Sequence, residues 1–442
     1  MSIFSKAGAV ACMALLAAGT AQAGERYVLT ASGWGKLQAA HVAAAGGTVR
    51  FAHAGAGVAV VESSNPQFLS QVLAGGAIRG GALDVEVDWT GPMRSFELEA
   101  NAVNPGDDRY FATIQWAPQA VKAPQAWAAG YDGEGVRVAV IDGGIFDAHP
   151  DLGANVDSVA ARSFVAPIGD PVTDPCRTAW NCDTGTFWHG THVAGIIAAV
   201  DNTIGVVGIA PKATIVPVKA LHGGSGSFGA VIQAILYAAS AGNADIINMS
   251  LGAVFPRNDG AAVLTSALNR AVNTAGRLGV LVISSAGNDA LDLDHLWNYI
   301  VTPAESGNGL AVSSTGPLGF AYGATNFTRF SSYSNWGTSM VTVAAPGGAV
   351  KGISQGTTAA IPDWGGNTGF TTWNTGWDVG WVDLEPGDTV CFPPGPTGAP
   401  STARRRSPAL SGRRGSSAGL RGMISFTFAP GPAWDASRRT PR

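Results

Sequence analysis

Two residues 47 positions apart could form a proton-relay pair. Asp142 closes the apolar run Val138-Ala139-Val140-Ile141, and His189 opens the heptad His189-Gly190-Thr191-His192-Val193-Ala194-Gly195. An aspartate fixes one tautomer of an imidazole and stabilises its protonated form, while the imidazole takes a proton from a nucleophile. That chemistry needs both side chains on rigid supports. The run before Asp142 reads as a buried strand. After His189, the residues Val193, Ile196, Ile197 and Val200 recur at helical spacing. Gly190 and Gly195 suit places where backbones pass closely. His192, one turn further on, reads as a packing and hydrogen-bonding residue.

The elements that must carry this pair fall into two units. From 24 to about 100, strand-like runs occur at Tyr27–Thr30, Thr48–Phe51, Val58–Val61 and Leu83–Val87, with helical stretches near 35–45 and 66–74. The resulting β-α-β-β-α-β order predicts a small α+β, ferredoxin-like domain. Residues 101–115 read as a polar linker. The second unit, 116–389, alternates short β-rich runs (Val136–Ile141, Thr214–Val218, Asp245–Met249, Val280–Ser284, Leu310–Ser313, Val341–Val343) with helical stretches at 190–200, 228–241 and 261–278. Such alternation predicts a doubly wound, mostly parallel α/β sheet.

Bulk properties narrow the function classes. A chain of 442 residues with 46% hydrophobic and 13% charged residues is globular, and a net charge of −4 argues against nucleic acid as partner. No apolar run of about 18 residues lies in the body of the chain, so no membrane span is expected. Lys6, the apolar stretch 7–18 and Ala21-Gln22-Ala23 read as a signal peptide over 1–23, implying export to the extracellular space or periplasm. Cys12 would leave with it. Cys176 and Cys182, in a Pro/Asp/Thr-rich loop, are expected to be disulfide-bonded, whereas two thiols without a histidine at ligand spacing make a poor metal site.

Val-Ile-Asp142-Gly-Gly and His189-Gly-Thr-His, in that order, resemble the subtilisin-like serine peptidases, whose triad runs Asp, His, Ser. The resemblance implies a secreted endopeptidase acting on protein or peptide substrates, with Asp142 and His189 catalytic and no cofactor needed for the chemistry. Ser284-Ser285-Ala286-Gly287-Asn288 resembles the segment whose Asn288 amide would donate to the oxyanion. Gly224-Ser225-Gly226 and Ser250-Leu251-Gly252, with Ala286-Gly287, resemble the substrate-binding edges. The N-terminal unit is similar to the family's inhibitory, chaperone-like propeptide, which makes the chain's own propeptide a partner. Asp151 and Asn202 match ligand positions of a structural calcium site, while Ala112 stands where the family has a glutamine ligand.

The nucleophile departs from the pattern. Gly337-Thr338-Ser339-Met340 has the family's tetrapeptide, but Val-Thr-Val-Ala-Ala-Pro346 follows where a long helix should begin. Ser339 is therefore a weak candidate for the nucleophile, and its block resembles one lying before the nucleophile instead. The peptidase domain reads as incomplete. Over 390–442 the composition turns to Arg, Pro and Ser: nine arginines lie in the last 42 residues against twelve in the first 400. That tail fits a basic low-complexity segment, and it fits an out-of-frame translation. The alternative to a peptidase is an inactive subtilisin-fold protein, at most a peptide-binding module.

Overall fold

The computed structural model describes residues 24–90, 117–165, 174–182, 189–202, 206–316, 328–331 and 333–347. Beyond these it describes only the backbone of four short strands, Ala360–Ile361, Thr371–Thr372, Thr389–Phe392 and Ser401–Arg404. The expected signal peptide, the linker and most of the basic tail lie outside the described residues.

The N-terminal unit runs β1 (Glu25–Thr30), α1 (Lys36–Ala44), β2 (Gly47–His53), β3 (Val58–Ser63), α2 (Phe68–Ala74) and β4 (Gly80–Leu83). Its antiparallel sheet has the order β2-β3-β1-β4, the ferredoxin-like arrangement. Alternate residues Tyr27, Leu29, Ala59 and Val61 face Val42, Phe68 and Val72 from the two helices, so period-2 and helical patterns meet in one core. One expectation is corrected here. The run Leu83–Val87 is not the fourth strand. Gly80–Leu83 takes that place, and the chain then leaves the sheet to form a separate strand, β5 (Glu86–Asp88).

The larger unit opens with two short helices, Ala117–Ala120 and Ala123–Ala128. Its principal elements follow as β6 (Arg137–Asp142), β7 (Arg162–Ser163), α3 (His189–Ala198), β8 (Thr214–Lys219), β9 (Ser225–Ser227), α4 (Phe228–Ala238), β10 (Ile246–Met249), β11 (Ala253–Pro256), α5 (Asp259–Arg277), β12 (Leu281–Ser285), β13 (Tyr299–Thr302), β14 (Leu310–Thr315) and β15 (Val343–Pro346). Seven strands form a sheet in the order β15-β14-β12-β10-β6-β8-β7, and every pair is parallel.

Ala139 and Ile141 of β6 pack with Phe228 and Ile232 of α4 and Leu268 of α5, while Val138 and Val140 meet Val193 and Ala194 of α3. Helices on both faces bury every second residue on opposite sides, the doubly wound α/β arrangement. The last strand starts two residues later than expected and ends in Pro346. An edge strand tolerates that proline because one side of its ladder needs no donor.

Candidate functional site

Asp142 ends β6 in the middle of the sheet, at the carboxyl edge where parallel α/β folds place their ligand crevices. His189 is the first residue of α3. Its Nδ1 lies 2.7 Å from Asp142 Oδ2 and 2.9 Å from Oδ1. Gly143 N–H also donates to Asp142 Oδ1, at 2.6 Å. A carboxylate can only accept, so Nδ1 carries the proton and Nε2 is left as the basic nitrogen. Asp142 is 1% exposed. A Cβ on Gly190 would lie 2.3 Å from Gly144 O and 3.0 Å from Asp142 Cβ, so the close approach of helix and strand requires glycine. Burial pushes the imidazole of His192 down to about 3, with the neighbouring His189 adding to the effect. His192 is thereby kept neutral, in keeping with a packing role.

Asn288 is exposed in the turn after β12. The turn is fastened by Asn335, a fully buried residue whose role the sequence did not reveal. Asn335 Nδ2 donates to Ala286 O at 2.9 Å, its Oδ1 accepts from Asp289 N and Leu291 N, and its own N–H donates to Gly287 O. Gly287 has φ +104°, and a Cβ there would meet Asn335 Nδ2 at 2.4 Å. The Tyr333-Ser334-Asn335-Trp336 block thus braces the Asn288 turn.

Among the described residues no hydrogen bond joins Ser339 to His189. Its Oγ donates to Asp294 Oδ1 at 2.7 Å, beside Thr338 Oγ1 and the N–H groups of Thr338, Ser339 and Met340. The hydrogen bonds from Thr338 and then Ser339 hold the Asp294 carboxyl well below the usual carboxylate range. No helix follows among the described residues. The Gly-Thr-Ser-Met tetrapeptide is here a carboxylate-binding turn.

The two expected substrate edges do lie together, and a strand of the same chain fills the space between them. Strand β5 pairs antiparallel with β9, with Glu86 opposite Ser227 and Asp88 opposite Ser225. Trp89 N–H donates to Gly224 O at 3.0 Å, and Gly252 N–H donates to Trp89 O at 2.8 Å. The Trp89 indole donates to Gly226 O and packs against Phe228 and Phe255, with ring centroids 5.0 and 5.8 Å away. Leu251 is buried beside them, and Ser250 Oγ accepts from Asn248. This is strand addition to a sheet edge with a side-chain pocket for the anchor.

Further contacts join these parts. Lys219, in register with Asp142, is fully buried, and its ammonium donates to Gly143 O and Cys182 O. Sequence reasoning missed this residue, and the lone lysine in the apolar run Ile-Val-Pro-Val-Lys-Ala-Leu is the signal that could have marked it. Cys176 and Cys182 are disulfide-bonded, closing the small loop. From that loop Asp174 pairs with His222 Nε2 at 2.8 Å, and Arg177 pairs with Glu86 at 2.8 Å.

Asp151 and Asn202 also come together: Asp151 accepts from Asn202 Nδ2 at 3.0 Å and from Val206 N–H at 2.9 Å. Both oxygens of this buried carboxylate meet N–H donors, so a cation here would need the Asn202 amide turned to face it with its oxygen. No group of three or more acidic, His or Cys side chains gathers around a common point among the described residues.

A sequence model described as "Subtilase family" matches residues 133–377. Thermitase from Thermoactinomyces vulgaris is 39% identical over 243 residues, which is 54% of this chain and 73% of thermitase. Subtilisin E from Bacillus subtilis is 34% identical over 263 residues, 57% of this chain and 59% of that protein. The solved structure of an epidermin leader peptide processing serine protease from Staphylococcus aureus superposes with a TM-score of 0.54 at 21% identity, covering 73% of this chain and 75% of that one, and so speaks for the fold alone. The matched stretch takes in Asp142, His189, the Asn288 turn and both edges of the occupied crevice, and the chain belongs to the subtilase family.

Proposed function

We propose that this subtilisin-like chain is an exported serine endopeptidase made as a self-blocked precursor. The observation that carries the reading is the Asp142–His189 pair standing beside a crevice whose two edges already hold an extended peptide strand. In this mechanism His189 Nε2 takes the proton of a serine hydroxyl as its oxygen attacks the substrate carbonyl. Asp142 stabilises the resulting imidazolium, and the Asn288 amide donates to the oxyanion. The imidazolium then gives its proton to the leaving amine. Water attacks the acyl-serine by the same route in reverse. Residues 24–100 act as the propeptide, with 86–89 lying where substrate will lie. Segment 1–23 directs export.

Calcium in this reading is structural. Asp151 and Asn202 would hold it, and the bond-breaking steps do not involve it. Chelation with EDTA should lower the Tm, and the Asp151→Asn variant should show no such shift. An equal drop in both would remove the site.

A second reading is favoured by one observation: the hydroxyl of Ser339 is committed to Asp294. On that reading the chain binds peptides without turnover. A fluorophosphonate probe separates the two. Labelling that disappears in His189→Ala identifies an activated serine, and mapping the adduct names it. Absence of any adduct on the processed protein leaves the binding module.

A further inference from the structure

We infer that Arg177 is a specificity-determining residue, selecting an acidic side chain three positions before the aromatic anchor of a strand in the crevice. The inference rests on the reading of that crevice as the peptide site. Segment Asp84-Val85-Glu86-Val87-Asp88-Trp89 alternates acidic and apolar residues. In an extended strand successive side chains point to opposite faces. Accordingly Val87 and Trp89 pack on the core of the larger unit, while Glu86 and Asp88 turn outward.

The outward side of β5 is where the disulfide loop stands. Arg177 ends the short turn Pro175–Arg177, with the buried, bonded Cys176 beside it. Its guanidinium meets Glu86 Oε1 at 2.8 Å, and 18% of its side chain remains exposed. Two anchors besides the disulfide fix the loop, the Asp174–His222 pair and the Cys182 carbonyl that accepts from Lys219. Arg177 therefore meets the strand from a braced support, which spares the ordering cost that weakens most surface ion pairs. The backbone bonds of β5 to β9 do not depend on side-chain identity. Trp89 supplies the anchor, and Arg177 supplies the charge test.

The chain's own strand serves as the ligand in the test. Hydrogen exchange at the Gly252 amide, which donates to Trp89 O, reports how often the strand leaves. Glu86→Lys and Arg177→Glu should each speed that exchange about three- to tenfold, and the double variant should return it to within about twofold of the native rate. Single variants without effect, or a double variant equal to the product of the two, would overturn the role of Arg177. Trp89→Ala should speed the same exchange a hundredfold or more, on the order expected for losing a buried Trp. No change there would overturn the crevice reading itself and the Arg177 role with it.

Discussion

His189-Gly-Thr-His and Gly337-Thr-Ser-Met are motifs of equal length, and they fare differently in this molecule. The first opens a helix that presses against a strand end, and the contact is close enough to require Gly190. Its imidazole is held by a buried carboxylate. The second precedes a strand, and its serine is spent on the carboxylate of Asp294. A short motif performs its chemistry only when the element that follows presents the side chain. The family likeness of a tetrapeptide says little without that element.

The sharpest way to break this contrast is to exchange the effects. Asp142→Asn should reduce peptide hydrolysis by about 10⁴-fold, because the imidazole loses its orienting carboxylate. Ser339→Ala should leave fluorophosphonate labelling unchanged. Labelling that vanished in Ser339→Ala would place the nucleophile in the Asp294 turn and reverse the comparison. A smaller effect is expected at Asn335. Replacing it with Ala strands Ala286 O and the Asp289 and Leu291 N–H groups, at about 1–3 kcal/mol of stability. Denaturant unfolding measures that loss. Hydrolysis should fall along with it, since the Asn288 turn loses its brace.

A further prediction concerns pH. A histidine with a depressed folded-state pKa binds its proton only on unfolding. The contribution of His192 is therefore intact above about 6.5 and declines as the pH falls toward about 3. Tm measured across that window should drop, and His192→Asn should flatten the slope. A parallel slope in the variant would show that other groups govern acid sensitivity.

What the sequence made legible was whatever local patterning dictates. Short apolar, β-rich runs located six of the seven strands of the parallel sheet to within three residues, whereas β7 and the pair β11 and β13 carried no such signal. Helical spacing after His189 fixed the helix that carries it. Residues that act through other segments stayed hidden. Asn335 is fully buried because it bonds to the carbonyl and N–H groups of a turn more than forty positions away. The run Leu83–Val87 was legible as a strand and misplaced: its first residue ends β4 and its last two open β5, since periodicity cannot say which sheet a strand joins. Both outcomes follow from one fact: alternation and helical spacing are local, whereas pairing partners are set by the assembled core.

Strand β5 has a further consequence through its tether. Trp89 and Gly252 belong to one chain, so filling of the crevice is a first-order event. Its occupancy does not fall on dilution, and a free peptide must compete with a strand whose local concentration is fixed by chain connectivity. Cutting the chain anywhere between residues 90 and 117 changes the order of the reaction. The released unit then competes only at its bulk concentration, and dilution below its dissociation constant empties the crevice of the cut chain while that of the intact chain stays filled.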